Sequence, residues 1–292
     1  MSRPEPRAAW RCPVCSASLT LTGDSRRWAC AERHSFDIAR EGYVNLLIAR
    51  QGGAHRPGDS VEMVRARRRF LATGAYEPLS AALASIVASE RPRTVLDVGC
   101  GEGCHTRALS AQEVLGVDIA KAAVAAAARA HPRGRYAVAN AAELPVHDAA
   151  IDVALNVFGP VVPGELARVV RSGGMVVAAH PGPAHLEDLR SLVYANASPH
   201  IVKPPLRDAS DQFAEIESTS VTFPVVIKDA SELLDLFAMT PYRWHGPSDI
   251  NERLAGSANF ETVADVRVTI YRRLRSQGLK VRPTRSPPHR CG

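Results

Sequence analysis

Four side chains near the N-terminus have the types and spacing of a closed metal site: Cys12, Cys15, Cys30 and His34. Cys12-Pro13-Val14-Cys15 is a knuckle that presents two thiolates from one tight turn. Cys30 and His34 form a second pair beyond residues 16–29. Leu19–Leu21, Thr22–Ser25 and Arg26–Ala29 read as strand, turn and strand, an arrangement that folds the second pair back onto the first. Three thiolates and one imidazole suit a tetrahedral structural zinc ion with no open coordination position. A segment this small buries too little apolar surface to fold alone, so the metal supplies folding energy. With all four positions filled, the ribbon is expected to recognise or dock rather than to catalyse.

A second cluster, Asp97-Val98-Gly99-Cys100-Gly101-Glu102-Gly103, follows an apolar strand-like run and opens the next element. Glycines at 99 and 101 let the backbone turn tightly and admit a ligand where a Cβ would stand. A dinucleotide fingerprint would need glycine where Cys104 stands. The D-x-G-x-G-x-G spacing instead resembles the S-adenosylmethionine loop of Rossmann-like methyltransferases. Asp118 ends the next strand, where a carboxylate can accept hydrogen bonds from both ribose hydroxyls. Asn140-Ala141 follows the third strand, where the adenine edge is usually read. Asp97, Gly99, Gly101, Gly103, Asp118 and Asn140 are therefore candidate cofactor residues.

The acceptor is narrowed by what is missing. Methylation of an exocyclic base amine commonly uses [DN]-P-P-[YF] after the fourth strand, and this chain has Asn156-Val157-Phe158-Gly159-Pro160 there. Methylation of a pyrimidine carbon needs a cysteine nucleophile. Cys100 and Cys104 flank the cofactor loop and read as packed thiols, and Cys291 lies in the tail. A ring nitrogen or an oxygen remains. Asp148, Asp152 and the Asn156 loop fall near the expected active end of the sheet, but none is marked as the proton acceptor.

These clusters need a scaffold, and the pattern from residue 76 to 272 supplies one. Apolar strand-like runs at Arg93–Val98, Glu113–Asp118, Arg135–Ala139, Ile151–Val157 and Met175–His180 alternate with helical segments near Cys104–Ser110, Lys121–Ala130 and Gly164–Val170. Ser172-Gly173-Gly174 is expected to close the last of these helices. Thr219–Ile227 and Val263–Tyr271 alternate as antiparallel strands around a helix at Ser231–Met239. The expected fold class is α/β: an N-terminal zinc ribbon, then a Rossmann-like, doubly wound, mostly parallel sheet with an antiparallel edge pair. The expected divisions are a zinc-ribbon RNA-recognition domain (1–45), a linker with a basic helix at Val61–Leu71 (46–75), a methyltransferase domain (76–272) and a basic, disordered tail (273–292).

Composition agrees with that plan. The 292 residues are 46% hydrophobic, and no run approaches the about 18 apolar residues of a membrane span. The N-terminal residues lack the apolar stretch of a secretory signal, so the cytoplasm is expected, with its six cysteines reduced. Net charge is +6, which suits an anionic partner. Aromatic content of 5% argues against a broad base-stacking platform. Arg65, Arg67, Arg68 and Arg69 read as a compact basic patch suited to phosphate contacts that orient RNA without reading its sequence.

Longer motifs identify the chain as similar to a known family. CPVC, AERHSFDIAREGYVNLL (31–47), PGDSVEMVRARRRFLATGAY (57–76), LDVGCGEG (96–103), ELARVVRSGG (165–174), HPGPAHL (180–186) and MTPYRW (239–244) resemble the large-subunit rRNA guanine-N1 methyltransferases of the RlmA type. That family includes macrolide-resistance enzymes of antibiotic producers. The resemblance implies methyl transfer from S-adenosylmethionine to N1 of a guanine in hairpin 35 of 23S rRNA, and a homodimer whose ribbons and cleft receive RNA. It implies zinc on Cys12, Cys15, Cys30 and His34, and cofactor contacts from Tyr76, Gly101, Glu102 and His185. Asn156-Val157-Phe158 is closer to the branch that modifies nucleotide 748, whereas HPGPAHL is shared with the branch that modifies 745. High Ala and Arg content suggests a high-GC actinomycete, favouring 748 and a role in macrolide self-protection. The rival readings are a non-catalytic zinc RNA-binding protein, which would need no intact Asp97, Gly99 and Asp118 set, and a methyltransferase of small molecules such as a quinone or a macrolide. The latter would use the same loop but has no need of a ribbon.

Overall fold

The computed structural model describes residues 10–48, 58–194, 199–244, 247, 249–255 and 259–275. The zinc ribbon comes first, as three short antiparallel strands: β1 (Thr20–Leu21), β2 (Arg27–Ala29) and β3 (Ser35–Asp37). Strand β4 (Tyr43–Asn45) then leaves the ribbon. Helices α1 (Val61–Ala72) and α2 (Glu77–Ser89) lead into the central strand β5 (Thr94–Val98). Next come β6 (Glu113–Asp118), α3 (Lys121–Ala130), β7 (Arg135–Val138), β8 (Ile151–Val157), α4 (Pro163–Val169), β9 (Val170–Pro181) and α5 (Glu187–Val193). The chain closes with β10 (Phe213–Ile227), α6 (Ala230–Met239), α7 (Ile250–Ala255) and β11 (Phe260–Arg273).

Eight strands form one sheet in the order β10-β11-β9-β8-β5-β6-β7-β4. The β4-to-β9 portion is parallel, and β11 runs antiparallel to both of its neighbours. Every residue of β5 is buried, as a strand covered on both faces requires. The sequence moves to β6 on one side of β5 and to β8 on the other, so the crevice beyond its carboxyl end is a topological switch point where ligands bind. Helix α3 packs close to that crevice because its inward face is Ala123, Val124 and Ala127. Helix α1 is started by Ser60, whose hydroxyl accepts the Met63 N–H at 3.2 Å.

The ribbon is built into this core. Strand β4 extends the large sheet in parallel, with Tyr43 opposite Tyr136 and Asn45 opposite Val138. Trp10, only 1% exposed, sits in the same apolar cluster as Leu144 and Val146. The Arg11 amide donates to the Pro145 carbonyl at 2.8 Å, and Ser18 Oγ lies 3.0 Å from His147 Nε2. The Arg135 guanidinium covers the Trp28 ring, 5.4 Å from its centroid.

Several expectations change. The helix expected at Cys104–Ser110 shrinks to a 3-10 turn, Thr106–Ala108, because Leu109 turns extended to enter the core and the Thr106 hydroxyl is held by Asp97. Helix α2 was not anticipated. Residues 171–174 run on as part of β9 instead of capping α4. The outer strands are longer than read, β10 starting at Phe213 and β11 ending at Arg273. Arg273, assigned to the tail, donates Nε to the Ala167 carbonyl at 3.0 Å; residues 276–292 lie outside the described residues. No single helix among the described residues is long and apolar enough to cross a membrane.

Candidate functional site

The metal ligands converge as their spacing predicts. The ligand atoms of Cys12, Cys15, Cys30 and His34 all lie within 4.8 Å of one another. Cys15 Sγ is 3.6 Å from Cys30 Sγ, and Cys30 Sγ is 3.4 Å from His34 Nδ1. A tetrahedron with zinc–sulfur bonds of about 2.3 Å has edges of roughly 3.8 Å, so the set fits zinc. Each knuckle is shaped by one left-handed residue, Ser16 (φ 63°) and Arg33 (φ 65°). The Ser16 amide donates to the Cys12 carbonyl, and the Arg33 amide to that of Cys30.

A cavity of about 990 Å³ opens at the carboxyl ends of β5, β6 and β8. That is the upper end of ordinary ligand sites, which leaves room for a cofactor and part of an acceptor. Of the sequence-derived cofactor residues, Tyr76, Asp97, Gly99, Gly101, Glu102, Asp118, Asn140 and His185 line it. Gly99 (φ 80°) and Gly101 (φ 54°) adopt the left-handed conformation that β5 needs to turn over the crevice. Asp118 Oδ2 accepts the Gly101 amide at 3.0 Å and Oδ1 accepts that of Ala120 at 2.8 Å, so one carboxylate fixes the loop beside it. Burial raises its pKa while these amides hold it down. Asp97 is buried deeper still. Its Oδ2 accepts the Thr106 hydroxyl at 2.5 Å, its Oδ1 has no partner, and burial pushes its carboxyl up to about 7. A partnerless buried oxygen under a glycine cradle is what a polar ligand such as S-adenosylmethionine would satisfy.

Gly103 is the exception. It does not line the cavity; a Cβ there would meet the Ala127 Cβ at 3.0 Å, so it serves the contact with α3. Asn140 lines the cavity through an Asx turn, its Oδ1 accepting the Ala142 amide at 3.0 Å. Tyr76 and His185, motif positions only in the sequence, are 3% and 6% exposed in the wall. His185 donates Nδ1–H to the Asp265 carbonyl at 3.0 Å, which leaves Nε2 as its acceptor nitrogen; burial lowers its pKa to about 4. Cys100 also lines the cavity, but burial raises its pKa well above the usual thiol value, so it is not a nucleophile. Asp152 is corrected: it accepts the Arg93 and Thr94 amides and pairs with Arg171, at the end of the sheet opposite the cavity. Asp148 is tied to Arg168.

The arginine patch divides. Arg65 and Arg68 are exposed on α1. Arg69 pairs with Asp235 of α6. Arg67 turns inward, its Nε donating to Glu102 Oε2 at 2.7 Å and its Nη1 to Asp59, with the guanidinium against Gly101. It therefore belongs to the cofactor loop and not to a phosphate-binding surface, a correction that periodicity along α1 does not reveal. The sequence reading also missed Phe158, His200, Tyr242 and Trp244, which line the outer part of the cavity. Phe158-Gly159 directly after β8, and the aromatic pair in MTPYRW, were the available signals.

Comparison with known proteins agrees with this geometry. The family model described as RlmA, N-terminal, matches residues 10–52, and that of a methyltransferase domain matches 95–174. The 23S rRNA (guanine(748)-N(1))-methyltransferase of Streptomyces fradiae is 34% identical, over 84% of this chain and 89% of its own length. A Micromonospora griseorubida protein provisionally named a 23S rRNA (guanine-N(1)-)-methyltransferase is 36% identical, over 90% of this chain and 96% of its own. Similarity at this level spans ribbon, loop and sheet together, and on that ground the chain belongs to the RlmA-type family of 23S rRNA (guanine-N1)-methyltransferases.

Proposed function

We propose that this chain methylates N1 of a guanine in hairpin 35 of 23S rRNA, at nucleotide 748, as a homodimer, and that the modification protects the ribosome from macrolides. The observation that carries the RNA reading is the continuity of ribbon and cavity. Asn140–Ala142 line the cavity, and a few residues later Pro145 and Val146 hold the ribbon's Arg11 and Trp10. A small-molecule enzyme has no use for a zinc module joined to the wall of its cofactor cavity. The choice of 748 follows the name of the Streptomyces fradiae relative.

S-adenosylmethionine supplies an electrophilic methyl group on a sulfonium. Asp118, Gly99 and Gly101 would hold it, with Asn140 at the adenine end and Glu102, braced by Arg67, beside the loop. Asn156 fixes the turn that follows β8 by donating Nδ2 to the Val98 and Pro160 carbonyls, at 2.9 and 3.3 Å. These contacts align a nucleophile with the methyl group, and positioning supplies much of the rate when the electrophile is already strong. The guanine N1 proton must leave as the new bond forms.

The test is incubation with labelled S-adenosylmethionine, unmethylated 23S rRNA and a panel of quinones and macrolides. Reverse transcription then maps the modified base, since N1-methylguanine blocks pairing. Label in rRNA with a stop at 748 is expected. Label confined to small molecules would overturn the reading, and a stop at 745 would overturn the nucleotide. Light scattering at the mass of one chain would remove the dimer.

A further inference from the structure

Only 5% of the residues are aromatic, yet rings gather along one wall of this cavity. Tyr76 lies 6.4 Å from Phe158, Phe158 5.4 Å from His185, His185 6.4 Å from His200, and His200 6.4 Å from Tyr242, centroid to centroid. The last pair is nearly parallel, at 21°, and tied by a 3.0 Å contact between His200 Nε2 and the Tyr242 hydroxyl. One ring in this line differs from its neighbours. Phe158 is 42% exposed, and its backbone sits at φ 54°, a conformation a bulky side chain adopts only when the surroundings force it.

The surroundings do force it. The Phe158 amide donates to the Ala179 carbonyl at 2.9 Å. Asn156 closes the turn at Pro160 and ties it to the end of β5 at Val98. Gly159 is pressed so close that a Cβ there would stand 2.9 Å from Asn156 Nδ2. Folding alone would favour glycine at 158. A strained, half-exposed phenyl ring at the mouth of a cofactor cavity marks a functional position. The N1 atom of guanine lies on its pairing edge, which is out of reach while the base is paired and stacked in a helix, so an enzyme acting on N1 works on a base that has left the stack, and such a base needs an apolar face to receive it.

We infer that Phe158 is the stacking face for an extruded purine, and that the outer cavity lined by Phe158, His200 and Tyr242 is the acceptor-base pocket. This rests on the RNA reading above. It is consistent with the low aromatic content: stacking is concentrated on one base and not spread along a strand.

The experiment compares wild type, Phe158→Gly and Phe158→Tyr on a hairpin 35 transcript carrying 2-aminopurine beside the target guanine. Base–aromatic stacking predicts that Phe158→Gly lowers kcat/KM for RNA by about 5- to 150-fold. Phe158→Tyr stays within about 3-fold of wild type. Cofactor affinity by equilibrium dialysis stays within about 3-fold in both. Glycine relieves the left-handed strain, so the midpoint of thermal unfolding of Phe158→Gly should hold or rise; a merely structural phenylalanine would lower stability and rate together. Fluorescence should rise on binding wild type and not on binding Phe158→Gly. Unchanged RNA kinetics in Phe158→Gly, or the same fluorescence rise, would overturn the assignment. If wild type leaves the transcript unmethylated, it is the RNA reading that fails.

Discussion

Asp97 gives the sharpest prediction, because its substitution should stabilise the protein while damaging its use. The carboxyl is 2% exposed, has one partner for two oxygens, and titrates near 7 instead of the ordinary 3.8. A folded-state pKa above the unfolded value means that the folded chain binds more protons across that window. Stability is therefore fully present below about pH 4 and is lost as pH rises towards 7. Each pH unit in the window is worth about 1.4 kcal/mol, so the loss over roughly three units is of order 4 kcal/mol. Asn keeps the shape and carries no charge at any pH. Asp97→Asn should gain over wild type by about 2 kcal/mol between pH 5.5 and 7 and then level off, a separation of about 4–8 °C in Tm for a domain of this size. The Asp118 carboxyl and the buried histidines are common to both proteins, so their titration largely cancels in the difference. Urea unfolding of zinc-loaded protein without added cofactor, at pH 5.5, 7 and 8, measures it; equilibrium dialysis should show weaker S-adenosylmethionine binding in the same variant. A stability difference that is flat with pH, or that narrows as pH rises, would refute the assignment of a buried, destabilised carboxyl.

His185 should act with the opposite sign. Its depressed pKa, about 4, means stability present above about 6.5 and lost as pH falls through that range; His185→Asn should flatten the acid limb of unfolding curves between pH 6.5 and 4. Arg67→Met removes the partner of buried Glu102 and should cost about 2–3 kcal/mol by urea unfolding, at or below the low end for a broken buried pair because Asp59 is partly exposed. Cofactor affinity should fall with it, and equal affinity would separate the ion pair from the binding loop. Cys15→Ser, or chelation, should lower Tm and abolish rRNA methylation, with a zinc-release assay reading one ion per chain.

The parts legible in the sequence were those whose signal is local. Cys12-x-x-Cys15 with Cys30 and His34 states a ligand set within one small hairpin. The β5 run and Asp97–Gly103 state a strand and its turn, because a strand buried on both faces reads as an unbroken apolar run. What escaped depends on the rest of the fold. Glu77–Ser89 is the exception: its large apolar residues Leu79, Leu83, Ile86 and Val87 fall at helical spacing, so this helix was legible and was overlooked. Strand β4 has three residues and exists only because β7 offers an edge. Arg67 and Arg68 are adjacent and look alike in sequence; Glu102 and Asp59, brought up by the cofactor loop and the helix start, turn one inward and leave the other in solvent.

The anchoring of the ribbon bears on how this family can be re-engineered. Trp10 shares a core with Leu144 and Val146, Arg11 bonds to Pro145, and β4 completes the edge of the catalytic sheet. A chimaera that exchanged residues 10–40 between relatives would place a foreign tryptophan against a resident loop, and misfit there would reach Asn140–Ala142 in the cavity wall. The smallest transplantable unit is thus discontinuous in sequence: the ribbon, the β4 edge and the 140–148 loop have to travel together.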